Sequence, residues 1–154
     1  MKNGSNTSDR ELLLTRTLNA PITLVWEVFT KPEHLANWWG PNGFTNTISD
    51  MVVAPGGAFN LTMHGPDGRD YDNQSIYREV TPLGKLVFEH TTYPHIIFTI
   101  SFEAQGDKTL LRWHMLFDSA EILADVAEKH GAVEGQKQNV EKLIRYLETI
   151  SHVS

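Results

Sequence analysis

The 154-residue chain contains no cysteine. That absence removes disulfides, thiolate metal ligands and cysteine nucleophiles, and nothing argues for an oxidising compartment. No apolar run approaches the roughly 20 residues that cross a bilayer, and residues 1–10 are polar, without the apolar centre of a signal peptide. The expectation is a cytoplasmic protein with no membrane partner. Basic charge is scarce too: 13 Lys and Arg stand against 19 Asp and Glu, a formal charge of −6. Such a chain offers no electrostatic footprint to phosphate backbones, so nucleic acid is not an expected partner. Also missing are a G-x-S-x-G elbow, a phosphate-cradling glycine loop ahead of a helix and a dinucleotide fingerprint. No two histidines stand at i, i+4 and no loop is rich in aspartate, so neither a metal nor another cofactor is expected.

What is present begins with Pro21 to Phe29 and Pro32 to Trp39, which read as two short helices in tandem. Each proline sits where a first helical residue tolerates it, because φ is already fixed and the missing N–H has no partner there. Ile22, Val25, Trp26 and Phe29 form one apolar stripe; Leu35, Trp38 and Trp39 form the second, and Gly40-Pro41 ends it. Around this pair lie strand-like stretches at 11–18, 45–54, 58–64, 69–81, 85–92, 95–104 and 108–118. Pro55-Gly56-Gly57, Gly65-Pro66-Asp67-Gly68, Pro82-Leu83-Gly84, Tyr93-Pro94 and Gly106-Asp107 punctuate them as turns, which makes the sheet antiparallel. Asp118 or Ser119 then caps a helix carrying Ile122, Leu123 and Val126, with Glu121 completing a capping box with Asp118. A last helix runs from about Val133 to Ile150 on Val133, Val140, Leu143, Ile144, Leu147 and Ile150. Gly135, Gln136, Gln138 and Asn139 thin its apolar face, so its first half is expected to stand over something less dry. Residues 1–9 are expected to be a flexible tail and 10–152 a single domain, long enough to bury roughly two thirds of its unfolded surface. A monomer or weak homodimer is expected.

The order of elements resembles the helix-grip fold, START-like or Bet v 1-like: a curved antiparallel sheet of about seven strands, two short helices after the first strand and a long C-terminal helix over the sheet. More specifically, Ala20-Pro21 before Val25-Trp26, Pro32-Glu33-His34-Leu35, Trp38-Trp39-Gly40-Pro41, the turns named above, Val80-Thr81-Pro82, Leu86-Val87-Phe88 and Glu134-Gly135 resemble the SRPBCC superfamily. Within it they look like the branch named for homologues of the activator of the heat-shock-protein-90 ATPase. The likeness spans about Leu12 to Leu147. It implies an α+β fold with an interior cavity, in relatives that include ligand binders and polyketide cyclase-like proteins. Where that family often has glycine, this chain has Ser75. The chaperone activator itself carries a further domain that this chain lacks, so a chaperone role is not carried over.

Alternation assigns the faces of the strands. Phe59, Leu61 and Met63, Leu86 and Phe88, Ile96, Phe98, Ile100 and Phe102, and Leu111, Trp113, Met115 and Phe117 should point inward. On the fourth strand Asp72, Gln74 and Arg78 belong in water, which turns Tyr71, Asn73, Ser75, Tyr77 and Glu79 inward as a polar stripe. His90 extends it, Trp39 stands at the mouth, and Val140 faces it from the last helix. His34, His64, His95, His114, His130 and His152 read as surface, turn or tail residues.

Three functions fit this reading. The first is binding of a small, partly apolar molecule, aromatic or polyketide-like, in a cavity lined by Trp39, Phe59, Leu61, Met63, Tyr71, Asn73, Ser75, Tyr77, Phe88, His90, Phe98, Trp113 and Val140. The second is a cyclase- or hydrolase-type enzyme in which His90 is the general acid/base and Tyr77 or Asn73 orients a carbonyl oxygen. The third is a protein-interaction domain without a ligand, which a filled interior would favour.

Overall fold

The computed structural model describes residues 9–151; most of the expected N-terminal tail, and His152, lie outside them. Seven strands form one antiparallel sheet in the order β1-β7-β6-β5-β4-β3-β2: β1 (Glu11–Leu18), β2 (Thr45–Met51), β3 (Ala58–His64), β4 (Asp70–Thr81), β5 (Lys85–His90), β6 (Ile96–Gln105) and β7 (Lys108–Phe117). Every neighbour after β2 is a hairpin partner, and β1 closes onto β7 by pairing Leu14 with Trp113. The helices α1 (Ile22–Thr30), α2 (Pro32–Leu35), α3 (Ala120–His130) and α4 (Ala132–Ser151) complete the chain. This is the helix-grip architecture that the sequence implied.

The core lies between the concave face of the sheet and the helices. It is aromatic: Phe29 stands edge-on to Trp38 at 4.7 Å and to Phe102 at 5.0 Å, and Phe88 stacks on Phe98 at 4.7 Å. Edge-on and stacked pairs of this kind each contribute beyond the area they bury. Trp38 is fully buried yet satisfied, since its Nε1–H donates to the Val28 carbonyl at 3.1 Å. Thr109, also fully buried, donates its hydroxyl to the Ala20 carbonyl at 2.8 Å and fastens the turn between β1 and α1.

Several local expectations are corrected. On α1 the buried residues are Val25, Val28 and Phe29, while Trp26 is only half-buried, edge-on to Phe102. Pro21 is the N-cap of that helix rather than its first residue. The second helix is a single turn, so Trp38 and Trp39 sit in the loop that follows it, not on a helical face. Ser119 alone caps α3, accepting from the Ile122 N–H at 3.1 Å, and Asp118 turns instead to His95, so no capping box forms. Gly131, left-handed at φ 62°, separates α3 from α4, and Val133 is exposed in the first turn of α4.

One correction reaches the interior. Tyr77 pairs with Phe88 but Glu79 with Val87, so Arg78 is an extra residue in β4. A bulge of this kind reverses the alternation beyond it. Val80 therefore joins Leu86 on the inner side, and Glu79 is exposed.

Candidate functional site

A hollow opens on the concave face where β3, β4, β5 and β6 pass beneath the loop that carries Trp39. Its walls are Trp39, Phe59, Leu61, Phe88 and Phe98, and its polar end is Asn73, Ser75 and His90. Register explains the grouping, since Leu61 lies opposite Asn73, Phe59 opposite Ser75, and Ser75 opposite His90. The open volume is about 30 Å³, room for a water or two.

The polar end is organised around His90. Its Nδ1 lies 2.7 Å from the Pro94 carbonyl, and its Nε2 lies 2.8 Å from Asn73 Oδ1 and 3.0 Å from Thr92 Oγ1. Burial holds the imidazole below its ordinary pKa, against the weaker opposing pull of the Pro94 carbonyl. The neutral ring keeps its proton on Nδ1, toward Pro94, and accepts at Nε2 from the Thr92 hydroxyl. It then needs the Asn73 amide to present its NH2 edge, whereas a protonated ring donates at both nitrogens and takes Asn73 Oδ1 as placed, with Asn73 Nδ2 donating to the Tyr71 carbonyl at 3.1 Å. The proton on His90 and the orientation of Asn73 are thus coupled.

Eight of the thirteen residues expected to line a site come together in this way; the other five do not. Tyr77 is buried one ring behind, stacked on Phe59 at 5.4 Å, and burial raises its phenol far above the ordinary range. Trp113 stacks on Trp39 at 5.4 Å without lining the hollow, and Val140 is fully buried in the core. Met63 and Tyr71 have the inward parity but sit at the strand ends, Met63 under Gly40 and Tyr71 exposed beside the Phe44 ring. For the catalytic arrangement this matters. Tyr77 is not at the hollow, and both nitrogens of His90 already have partners.

The polar residues of α4 do not stand over a wet space. Gln136 donates to the Trp113 carbonyl at 3.0 Å, and Asn139 donates to the Trp38 carbonyl at 2.9 Å. Gln138 accepts from the Asn42 N–H at 3.1 Å. Lys142, missed by the apolar pattern, donates to the carbonyls of Pro41 and Phe44 at 3.1 Å each, with that of Trp39 at 3.4 Å. From β2, Asn46 donates to the Trp39 carbonyl at 2.8 Å. Together they fix the backbone of the 38–44 loop. Polar residues on an otherwise apolar helix face were the available signal; their partners are carbonyls rather than water.

On the convex face three histidines stand against carboxylates. His95 bridges Glu89 at 2.6 Å and Asp118 at 2.7 Å, which raises its pKa and lowers that of Glu89. His114 meets Glu11 at 2.7 Å, and His64 lies between Asp70 and the Thr47 hydroxyl, 2.7 Å from each. His34, expected in solvent, is half-buried between α2 and α4, 2.6 Å from the Tyr146 hydroxyl. Among the described residues, no three His, Asp or Glu side chains are grouped to hold a metal, and no helix is long and apolar enough to cross a membrane.

A family model described as activator of Hsp90 ATPase homolog 1-like protein matches residues 19–148. Among solved structures, a protein from Nitrosomonas europaea superposes with a TM-score of 0.84 at 24% identity, covering 94% of this chain and 98% of that one. A protein from Mycobacterium smegmatis gives 0.82 at 24% identity, over 94% of each chain. The AHSA1 protein from Silicibacter pomeroyi gives 0.72 at 17% identity, over 90% of this chain and 98% of its own. At these identities the structures speak for the fold. No curated protein matches the sequence significantly.

Proposed function

The chain belongs to the activator of Hsp90 ATPase homolog 1-like family, and on that premise we propose that it binds a small, partly apolar molecule in the hollow beneath Trp39. The observation that carries this reading is the burial of His90 and Ser75, with half-buried Asn73, at one end of an otherwise aromatic hollow. A few polar groups converging within apolar walls are what small-molecule sites contain. Binding is favoured over catalysis because His90 has no free nitrogen to present and Tyr77 is out of reach.

A ligand-free interaction domain is the second reading, and one observation favours it: the open volume of about 30 Å³ is far below the roughly 300 Å³ of an ordinary ligand pocket. The two readings part in a thermal-shift screen of uncharged aromatic compounds, backed by native mass spectrometry of protein purified from its own host. A ligand that binds only the native state raises the melting temperature by mass action. A retained mass or a saturable rise supports binding; silence across the panel leaves the interaction domain.

A further inference from the structure

The indole of Trp39 walls the hollow and stands at the centre of the aromatic cluster around it. Its ring centre lies between 5.4 and 6.3 Å from those of Trp38, Phe59, Phe88, Phe98 and Trp113, and it is stacked on the last at 17°. Five rings about one bicycle form a cage for a planar two-ring aromatic. The ring that fills it comes from a loop, and the backbone of that loop is fixed independently of the ring. Asn46 and Lys142 hold the Trp39 carbonyl, and Lys142 also holds those of Pro41 and Phe44. Gly40, at φ 94°, fixes the next position, where a Cβ would fall 2.8 Å from Met63 Cε. A rotation of the Trp39 side chain would leave these main-chain contacts in place, and the residue is 9% exposed. Next to it lies the small space bounded by Asn73, Ser75 and His90. It admits a polar substituent but no ring.

Resting on the binding reading above, we infer that Trp39 is an internal stand-in for the ligand. That ligand is a planar two-ring aromatic with one small uncharged polar substituent, and it binds by replacing the Trp39 indole, stacked on Trp113 with its substituent beside Ser75 and His90. Packing sets the size, since a single ring leaves part of the cage void and a larger system overfills it. The substituent is uncharged because no Lys or Arg lines the space, so an ionised group there would be buried without a counter-charge. The open rotamer is a minor state, so apparent affinity is reduced by its population, and any change that removes the indole restores it.

The test uses 2-naphthol, naphthalene and 2-naphthoate as probes, with wild-type protein carrying 5-fluorotryptophan and the Trp39 resonance assigned from Trp39→Phe. The expected result is that wild type binds 2-naphthol at least tenfold more tightly than the other two and that the Trp39 fluorine signal moves to a solvent-exposed position on binding. Trp39→Ala is expected to bind 2-naphthol at least tenfold more tightly than wild type. Binding with the Trp39 signal unmoved, or weakened by Trp39→Ala, makes Trp39 a wall and overturns the inference while the binding reading stands. Binding by Trp39→Ala alone marks a void made by the substitution and also overturns it. If no probe binds either protein, the inference falls together with the binding reading. Should Trp39→Ala fail to fold, the wild-type fluorine signal decides.

Discussion

His90 and His95 are five residues apart in the chain and on opposite faces of one sheet. His90 ends β5 on the concave side, buried, with the Pro94 carbonyl, Asn73 and Thr92 as its partners. His95 precedes β6 on the convex side, between Glu89 and Asp118, and Glu89 also takes Arg78 at 2.6 Å. Burial pushes the first imidazole down and carboxylates push the second up. The two faces therefore use one residue type for opposite ends. The concave face holds buried polar groups against apolar walls, while the convex face sets Glu89 against Arg78 and His95 nearer solvent, where each such pair contributes little.

The largest expected difference between the faces is in packing. Trp113→Ala removes a buried ring that touches Phe29, Trp38 and Trp39, and it should lower stability by about 3 to 5 kcal/mol in denaturant unfolding. A loss under about 1 kcal/mol would mean that the concave core is not packed as described.

Next comes pH. The folded value of His90 lies below its ordinary value of about 6.5, so the unfolded chain takes up that proton first and stability falls as pH drops below about 6.5. For His95 the sign reverses: its raised folded value gives stability that is complete below about 6.5 and lost as pH rises through the folded value. Glu89, lowered by His95 and Arg78, adds stability above its ordinary range that is lost as pH falls through its folded value. In an NMR titration of the imidazoles His90 should titrate below His95. Replacing His90 by Gln should flatten the loss of stability on the acid side of 6.5, and His95→Gln the loss on the alkaline side. The reverse order would mean that the two faces have been assigned wrongly.

The smallest effect is expected at the convex chain of Thr47, His64 and Asp70. Its two contacts are 2.7 Å each, yet all three residues meet solvent, so Thr47→Ala should change stability by no more than about 0.5 kcal/mol. A larger loss would show a built network rather than surface pairing.

How far the sequence reached follows the same division. Strand order, turns and the inward sets were legible because alternation and Gly or Pro punctuation act locally; Phe59 with Leu61 and Phe88 with Phe98 stand where period two put them. Glu79 was not, because the bulge at Arg78 has neither glycine nor proline to announce it. Nor was the end of α2, since Trp38 and Trp39 continue a helical period that the chain abandons after Leu35. The site was legible in part. His90, Asn73 and Ser75 meet as alternation suggested, whereas Tyr77 is carried behind Phe59 by ring stacking. Gln136, Asn139 and Lys142 were misread or missed because their partners are main-chain carbonyls about 100 residues or more than 20 residues away in sequence, which no periodicity reveals.

The central claim is that the concave hollow takes a small aromatic molecule, and the measurement that bears on it most directly is an NMR chemical-shift map of the wild-type protein titrated with 2-naphthol. The account predicts saturable changes centred on the Trp39, Phe88, Phe98, His90 and Trp113 signals, with those of His64, His95 and His114 unmoved. Changes confined to the convex histidines, or none at saturating probe, would contradict it.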